Sequence, residues 1–406
     1  MNITGVIVEY NPFHNGHLYH LNETKKLTNC DGIIAVMSGH FVQRGSPAIL
    51  DKWTRTKLAL SNGVDLVLEL PSIYSTSSAE FFAYGAISLL EGINVVNNIS
   101  FGSELGNIDT LLNIASILQR EPLTFKEDLK DFINKGMAFP TAREKALTKF
   151  FEKDKDSFDF NKLLCLSNNI LAIEYCKNLF KINSNITPFT IKRLGSDYNS
   201  LQLKSDLSSA TAIREYIENN ENLDKLSESV PETVLNSLKN FQYTQYKFPF
   251  EEDMFTYIKH KYFSNAGFIE NLPDVSEGIH NRIYKALNTS NSLKEAMDII
   301  KTKRYTYTRI KRILCQYFIG VDMINSNELR RRPCPYARIL GFNKNGRDIL
   351  KLIKKNSNIE IINKIPKKVD ETLKLDINAT KCYSLLNPSI NPLDDLLKNP
   401  IIKLEE

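Results

Sequence analysis

Short apolar runs alternate with longer amphipathic segments through the first 120 residues, and this alternation constrains the fold more than any other feature of the chain. The apolar runs are typical of buried strands, whereas the segments between them have the spacing of helices. Strands that alternate with helices of this length form parallel βαβ units. We therefore predict an α/β fold with a doubly wound parallel sheet. The predicted strands are 3–8, 32–37, 66–70, 98–101 and 187–194, and the predicted helices are 17–27, 53–61, 79–90 and 108–119.

The loop after the first predicted strand contains His14-Asn15-Gly16-His17, directly before a predicted helix. A strand that leads into a helix N-terminus brings unpaired backbone N–H groups and the positive end of the helix dipole together, which favours phosphate binding. The two histidines share one face of the first helical turn. Imidazoles donate hydrogen bonds near neutral pH, so the pattern indicates phosphoryl-transfer chemistry. His-x-x-His spacing leaves a zinc site open as the alternative, although no cysteine lies close in the sequence.

Further polar residues follow other predicted strands. Ser38-Gly39-His40 comes after the second strand and Gly102-Ser103-Glu104 after the fourth, where ligands of such sheets bind. A second loop leads into a helix at residues 208–214. Its hydroxyls and free N–H groups suit phosphate, and Arg214 would project from the first turns. A plain helix-capping sequence is the alternative for this segment.

The net charge of +5 is unevenly distributed, because residues 281–355 contain 18 Lys and Arg against 5 Asp and Glu. Cations alternate with aromatic residues in part of this region. Lys and Arg bind phosphates and Tyr can stack on unpaired bases, so this region suits a structured RNA. A solvated basic helix face is the alternative. The candidate RNA-binding residues are Arg304, Tyr305, Tyr307, Arg309, Lys311, Arg312, Arg330, Arg331 and Arg332.

The length of 406 residues predicts two or three domains. We predict a catalytic domain over 1–245 with a helical insertion at about 121–165, a helical basic domain over 246–355, and a small C-terminal α+β segment over 356–406. Within this last segment, residues 359–362 and 372–377 are expected to form strands. Six scattered cysteines, no signal peptide and no apolar run of membrane-spanning length predict a cytoplasmic protein with reduced thiols.

The His-x-Gly-His pattern resembles the HIGH motif of the nucleotidyltransferase superfamily. Residues 8–20 and 37–45 closely resemble the bacterial tRNA(Met) cytidine acetate ligases, and residues 101–104, 168–171, 208–214 and 340–343 extend the likeness. The resemblance implies that ATP activates acetate as acetyl-adenylate. The acetyl group is then transferred to N4 of the wobble cytidine, C34, of elongator tRNA(Met). It implies ATP with magnesium, and no coenzyme A, DNA or membrane partner.

The resemblance also implies which residues bind ATP. They are Ile7, Val8, Glu9, Tyr10, Asn11, Pro12, Phe13, His14, Asn15, Gly16, His17, Leu18, Tyr19, His20, Gly102, Asn168 and Arg193. We assign His14 and His17 to phosphate binding and transition-state charge, and Arg193 and Arg214 to phosphates. Ser38 and His40, with Gln43 and Arg44, are candidates for contact with acetate or cytidine. His40 stands where we expect Asn in many relatives, and no carboxylate cage for a metal is evident.

Four other functions are considered beside this interpretation. A small-molecule adenylyltransferase would leave the basic region without a purpose. An RNA-binding protein that merely retains a nucleotide fold is disfavoured by the intact motifs at 14–17 and 208–214. An acetyl-CoA-dependent acetyltransferase would need an Arg/Gln-x-x-Gly-x-Gly/Ala loop, which the sequence lacks. The absence of a Lys-Met-Ser-Lys-Ser sequence argues against an aminoacyl-tRNA synthetase.

Overall fold

The computed structural model describes residues 1–137, 139–151, 163, 166–193, 209–220, 222–244 and 246–404. Its strands are β1 (Ile3–Val8), β2 (Gly32–Ser38), β3 (Phe41–Val42), β4 (Ser46–Pro47), β5 (Leu66–Leu70), β6 (Asn98–Ser103), β7 (Thr187–Lys192), β8 (Tyr336–Asn343), β9 (Glu360–Ile362) and β10 (Ile401–Lys403). Predictions for Leu194, for Ser208 and for residues 152–162 of the insertion lie outside the described residues.

Five parallel strands form the centre of the main sheet, in the order β5-β2-β1-β6-β7. Every residue of β2 and β5 is buried, as their continuous apolar sequences predict. The chain moves outward from β1 to β5 and then returns to the other side of β1 to form β6. This order confirms the doubly wound α/β fold. The direction of winding changes between β1 and β6, so the carboxyl ends of these strands border a crevice.

The sheet extends beyond the predicted catalytic domain. β8 pairs with β5 in the antiparallel direction, and β9 and β10 both pair with β8. The predicted boundaries at 245 and 355 therefore do not separate the sheet from the rest of the chain. The local sequence of β8 shows an apolar run, but its pairing partner lies some 270 residues earlier, and no local pattern specifies that pairing.

The expected strand at 359–362 is confirmed in β9, but the expected strand at 372–377 is wrong. Those residues belong to the helix Glu371–Leu386. Asp370 caps this helix by accepting a hydrogen bond from the Leu373 N–H at 2.7 Å. Its buried residues recur at helical spacing through Thr372, Asp376, Ala379 and Tyr383. The cap and the spacing together outweigh the strand preference of Thr and Ile in this short stretch.

Helices cover both faces of the sheet and build the remainder of the described chain. The α-helices are Asn15–Thr28, Lys52–Ser61, Ser72–Ser75, Ala79–Ile93, Ile108–Arg120, Leu123–Asn134, Phe139–Phe151, Ser167–Lys181, Ala210–Asn219, Glu232–Tyr243, Phe255–Phe263, Ile279–Thr289, Leu293–Ile300, Tyr307–Ile319, Ser326–Leu329, Lys344–Asn356, Glu371–Leu386 and Asp394–Leu397. Short 3₁₀ helices occur at Asp224–Glu228, Glu251–Met254, Ile269–Asn271 and Val321–Met323. Among the described residues, no helix is both long enough and apolar enough to cross a bilayer.

A buried network of four charged side chains attaches the C-terminal elements to the sheet. Lys52 Nζ lies 2.8 Å from Glu69 Oε1 and 2.7 Å from Asp395 Oδ1. Arg338 reaches Glu69 Oε2 at 3.1 Å and Asp395 Oδ1 at 2.9 Å. All four side chains are at most 4% exposed. Two cations and two anions thus balance each other where water is excluded, and they connect β5, β8 and the segment before β10.

Candidate active site

The predicted phosphate-binding loop lies at the carboxyl end of β1, beside the point where the winding changes direction. The helix Asn15–Thr28 begins directly after His14. The N–H of Asn15 donates to the Ser229 carbonyl at 2.9 Å, so a later segment of the chain holds the start of this helix. Tyr10 adopts a left-handed backbone conformation with φ of 49°, which is uncommon for a bulky residue. The strained turn is located at the site that the motif predicted.

His14 and His17 form a stacked pair, with ring centroids 3.7 Å apart and planes 25° apart. The main-chain N–H of His14 donates to Nδ1 of His17 at 3.3 Å. Because Nδ1 accepts this bond, the proton of the neutral His17 ring lies on Nε2. His17 therefore presents an Nε2–H donor, which is what a phosphate oxygen requires.

Burial keeps the histidines of this loop neutral. It lowers the pKa of His14 to about 3 and that of His20 to about 4, and the nearby Arg193 cation acts in the same direction on both. Burial, followed by the neighbouring His14, Arg193 and His20, holds the pKa of His17 well below its usual value. The aromatic rings of Tyr10 and Phe13 pack against His17, with centroids 4.9 and 5.6 Å away. The site thus offers neutral imidazoles beside a permanent cation.

The ends of β6 and β7 form the opposite wall. The Arg193 side chain passes over Gly102, where an added Cβ would lie only 3.3 Å from Arg193 Cγ. Glu104 accepts hydrogen bonds from Asn168 Nδ2 at 2.6 Å and from the Asn169 N–H at 2.8 Å. These contacts hold the start of the helix Ser167–Lys181 against the end of β6. The structure therefore brings Gly102, Asn168 and Arg193 to the carboxyl ends of β6 and β7, and Arg193 lies close enough to His14 to act on its charge. ATP binding by these residues stays a prediction.

Ser38 and His40 are buried below this surface. His40 is 1% exposed, its Nδ1 lies 3.1 Å from Thr380 Oγ1, and its ring packs on Tyr383. The carbonyls of Ser38 and Gly39 both accept hydrogen bonds from the Arg55 guanidinium. These contacts give the segment a supporting role next to the ion network. Direct contact of Ser38 or His40 with a substrate stays a prediction that this burial does not favour.

A cluster of charged side chains connects the β1 loop to the basic region. Glu9 Oε1 accepts a hydrogen bond from the Gln43 N–H at 2.8 Å, and the Arg44 and Arg214 cations act on the Glu9 carboxylate. Arg214 also pairs with Glu251 Oε1 at 3.0 Å, and Lys311 pairs with the same oxygen at 3.2 Å. One oxygen of Glu251 thus pairs with both Arg214, which is predicted to bind ATP phosphates, and Lys311, which is predicted to bind RNA.

Comparison with known proteins agrees with this geometry. A model of the HIGH Nucleotidyl Transferase family matches residues 1–395. A Clostridium tetani protein named tRNA(Met) cytidine acetate ligase is 80% identical over 99% of this chain and 100% of that protein. The chain belongs to this ligase family. A Clostridium novyi member is 54% identical, with 99% of each chain covered.

A solved structure supports the same membership. The structure of Thermotoga maritima TmcAL bound with alpha-thio ATP matches 100% of both chains with a TM-score of 0.90 and 35% identity. The apo form of that protein matches with a TM-score of 0.91 and 34% identity. The family fold therefore extends over the whole chain, including the C-terminal strands that the sequence analysis had placed outside the catalytic domain.

In this family member, several predicted RNA-binding residues already have partners within the protein. Asp274 pairs with Arg312 at 3.1 Å and with Arg330 at 3.2 Å. Arg309 donates to the Asp274 carbonyl at 3.0 Å, and the buried Tyr305 donates to the Glu277 carbonyl at 2.6 Å. Lys311 is half-buried and pairs with Glu251, whereas the last four candidates are exposed: Arg304, Tyr307, Arg331 and Arg332, of which Arg332 pairs with Glu328. An RNA role for the nine residues stays a prediction, and the exposed ones are positioned best for it.

Sequence reasoning missed Arg55 and Glu251. Arg55 is 1% exposed and donates to the carbonyls of Leu50, Glu9, Ser38 and Gly39, so it holds the ends of β1 and β2 together. Glu251 joins the helices that contain Arg214 and Lys311. Neither residue belongs to a motif, because each acts through partners that are distant in the sequence. No local signal identifies them.

Replacing His14 with Gln is expected to make the stability of this ligase family member less sensitive to acid. The folded pKa of about 3 lies below the ordinary value of 6.5, so the unfolded chain binds a proton that the folded chain does not. The corresponding stabilisation is complete above pH 6.5 and is lost as the pH falls. Between pH 7 and pH 5 the stabilisation that is lost amounts to about 2 kcal/mol. Urea unfolding at pH 7 and pH 5 measures this loss in the wild-type protein and in His14→Gln. An equal loss of unfolding free energy in both proteins would contradict the prediction.

Proposed function

We propose that this protein is an ATP-dependent ligase that activates acetate as acetyl-adenylate. It then transfers the acetyl group to N4 of the wobble cytidine, C34, of elongator tRNA(Met), which gives N4-acetylcytidine. The observation that carries the proposal is that Glu251 Oε1 pairs both with Arg214, a predicted phosphate-binding residue, and with Lys311 of the basic helix Tyr307–Ile319. The names of the relatives support tRNA(Met), cytidine and acetate as substrates, and the bound alpha-thio ATP of the Thermotoga structure supports ATP.

The first half-reaction joins acetate to the α-phosphate of ATP and releases pyrophosphate. Negative charge develops on the phosphate oxygens during this step, and donors already in place stabilise it. The Nε2–H of His17, the neighbouring His14 and the Arg193 guanidinium supply such donors at the end of β1 and β7. Neutral imidazoles suit this role because they donate without adding a buried charge. The nucleotide would lie across the crevice between β1 and β6.

A magnesium ion would accompany ATP. In the described part of the chain, no group of three or more His, Cys, Asp or Glu side chains could hold a metal ion. The ion would therefore be bound by the phosphate oxygens and water, as is usual for magnesium with a nucleotide. The acetyl group comes from acetate and ATP in this proposal, without coenzyme A. A cytoplasmic location stays a prediction.

The direct test incubates the protein with labelled acetate, ATP and total bacterial tRNA, without coenzyme A, and digests the RNA to nucleosides. ATP-dependent label in N4-acetylcytidine is the expected result. Absence of label from RNA, with ATP–pyrophosphate exchange toward another acceptor, would instead indicate a small-molecule adenylyltransferase. Absence of both activities would indicate an RNA-binding protein that retains a nucleotide fold.

Binding of tRNA is expected to weaken steeply with salt, because phosphate contacts release counterions. Replacing the exposed Arg304 with Gln should weaken binding and reduce the slope of log Kd against log salt by about 1. Lys130 is a matched control, since it is an exposed cation on the distant helix Leu123–Asn134, and its Gln variant should keep the wild-type slope. Filter binding across a salt series gives both slopes. Affinity that does not respond to salt would exclude the basic region as the tRNA site.

A further inference from the structure

Glu9 is held firmly at the carboxyl end of β1 by contacts on both its side chain and its main chain. Its Oε1 accepts the N–H of Gln43 at 2.8 Å, and its carbonyl accepts Nη1 of Arg55 at 2.7 Å. Gln43 lies in the turn between β3 and β4, whereas Arg55 lies on the helix Lys52–Ser61. Two separate elements therefore determine where this carboxylate lies, and it is only partly buried.

Glu9 differs from the other carboxylates around the site in the partners that its oxygens have. Glu104 uses both oxygens to hold Asn168 and Asn169. Glu251 directs one oxygen to two cations. Glu9 uses Oε1 alone, and Oε2 accepts no hydrogen bond from any residue that the structure describes. Of these three carboxylates, Glu9 alone combines an oxygen without a hydrogen-bond partner and no ion pair within 4 Å among the described residues, so Oε2 can accept a hydrogen bond from a substrate.

Glu9 follows β1 at the start of the nucleotide loop, and the β3–β4 turn that binds its side chain packs on the basic helix. The β3–β4 turn that binds Glu9 packs on the helix Tyr307–Ile319 so closely that a Cβ at Gly45 would overlap the backbone of Lys311 and Arg312. Gly45 also has φ of +76°, which favours glycine. From the other side, Arg214 acts on Glu9 and shares Glu251 with Lys311. An RNA base that enters from the basic helix would reach Glu9 next to the nucleotide loop.

We propose that the Glu9 carboxylate accepts a hydrogen bond from the N4 amino group of the acceptor cytosine and removes its proton during acetyl transfer. This inference rests on the proposed function. In the step, the bond between N4 and the acetyl carbon forms and the bond from that carbon to the adenylate oxygen breaks. AMP leaves with the electron pair, and the N4 proton passes to Glu9 Oε2.

The chemistry of the residue suits both parts of this role. Carboxylates of Glu and Asp accept hydrogen bonds from cytosine N4, so the same group would recognise the base and orient it. Burial raises the pKa of Glu9, while the N–H of Gln43 and the Arg44 and Arg214 cations oppose this shift. The carboxylate is thereby a stronger base than an exposed Glu would be.

The test compares the wild-type protein with Glu9→Gln and with the control Glu218→Gln. Glu218 is an exposed carboxylate whose charge acts in the same cluster of Arg214 and Glu251. Acetate-dependent ATP–pyrophosphate exchange measures the first half-reaction. Single-turnover transfer of labelled acetate to tRNA, started after the adenylate has formed, measures the second. Retained exchange also shows that the variant folds.

In Glu9→Gln, transfer is expected to fall about 100-fold or more, with a much smaller loss of exchange. The tRNA affinity should be retained, because glutamine still offers an oxygen acceptor. Glu218→Gln should transfer at the wild-type rate. Wild-type transfer in Glu9→Gln, equal losses of exchange and transfer, or the same loss in Glu218→Gln would each overturn the assignment of Glu9. Absence of both activities in the wild-type protein would overturn the proposed function instead.

Discussion

Replacing His17 with Ala is expected to lower the rate of acetate-dependent ATP–pyrophosphate exchange by about 100-fold or more. The Nδ1 of His17 accepts the His14 N–H, so its Nε2–H is directed by the protein itself and needs no rearrangement before it can donate to phosphate. The ring also forms one side of the stack with His14. The substitution removes a preorganised donor and the support of its neighbour together.

The affinity for tRNA should change little in the same variant, because the exposed cations of the basic region lie on other elements. Filter binding measures this affinity beside the exchange assay. His260 is a suitable control, as it is an exposed histidine on the helix Phe255–Phe263, and its Ala variant should exchange at the wild-type rate. Equal losses of exchange and tRNA affinity in His17→Ala would contradict the role assigned to His17.

Replacing Asp395 with Asn is expected to lower the free energy of unfolding by about 3–5 kcal/mol. Asp395 Oδ1 binds both Lys52 and Arg338, and Oδ2 accepts the Thr380 hydroxyl at 2.6 Å. Asn retains the shape but removes the negative charge. Two buried cations would then share Glu69 alone, and their burial keeps the excess charge out of contact with solvent.

Chemical denaturation of Asp395→Asn and of a control, Asp348→Asn, measures this effect. Asp348 pairs with Lys351 on the surface, where both side chains are more than half exposed, so its replacement should change the free energy of unfolding little. A loss in Asp395→Asn as small as that of the control would show that the network contributes little to stability. Thr380 contacts both His40 and Asp395, so the segment Ser38–His40, which was predicted to contact a substrate, lies directly beside this network.

Much of the central sheet could be predicted from the sequence. The runs at 3–8, 32–37, 66–70 and 98–101 are continuous and apolar because strands buried on both faces need no polar side. The structure places β1, β2, β5 and β6 on these runs, with at most two residues added at their ends. The loop that we predict to bind phosphate could be located equally well, since its strand, its Gly and its two His are neighbours in the chain. Short-range patterns of this kind led to the predicted roles of His14, His17 and the residues after β6.

The C-terminal half was predicted less well because its contacts are long-range. The residues of 372–377 favour a strand individually, yet the cap at Asp370 and packing at helical spacing determine the outcome. Six arginines of the basic region were assigned to RNA, whereas Asp274 binds two of them. A count of charges along the sequence does not show which cations have partners in the folded protein.

The sequence by itself determined the parallel core, the position of the His14–His17 loop after β1 and the likeness to the ligase family, because these depend on periodicity and on adjacent residues. Only the tertiary structure decided that β8 and β10 join the sheet, and that Arg214 and Lys311 share Glu251. It also decided that His40 meets Thr380, 340 residues away. The physical reason is that hydrogen bonds and ion pairs form between atoms that are close in space. Which atoms meet depends on how whole helices and strands pack, and the separation of two residues along the chain does not indicate that packing.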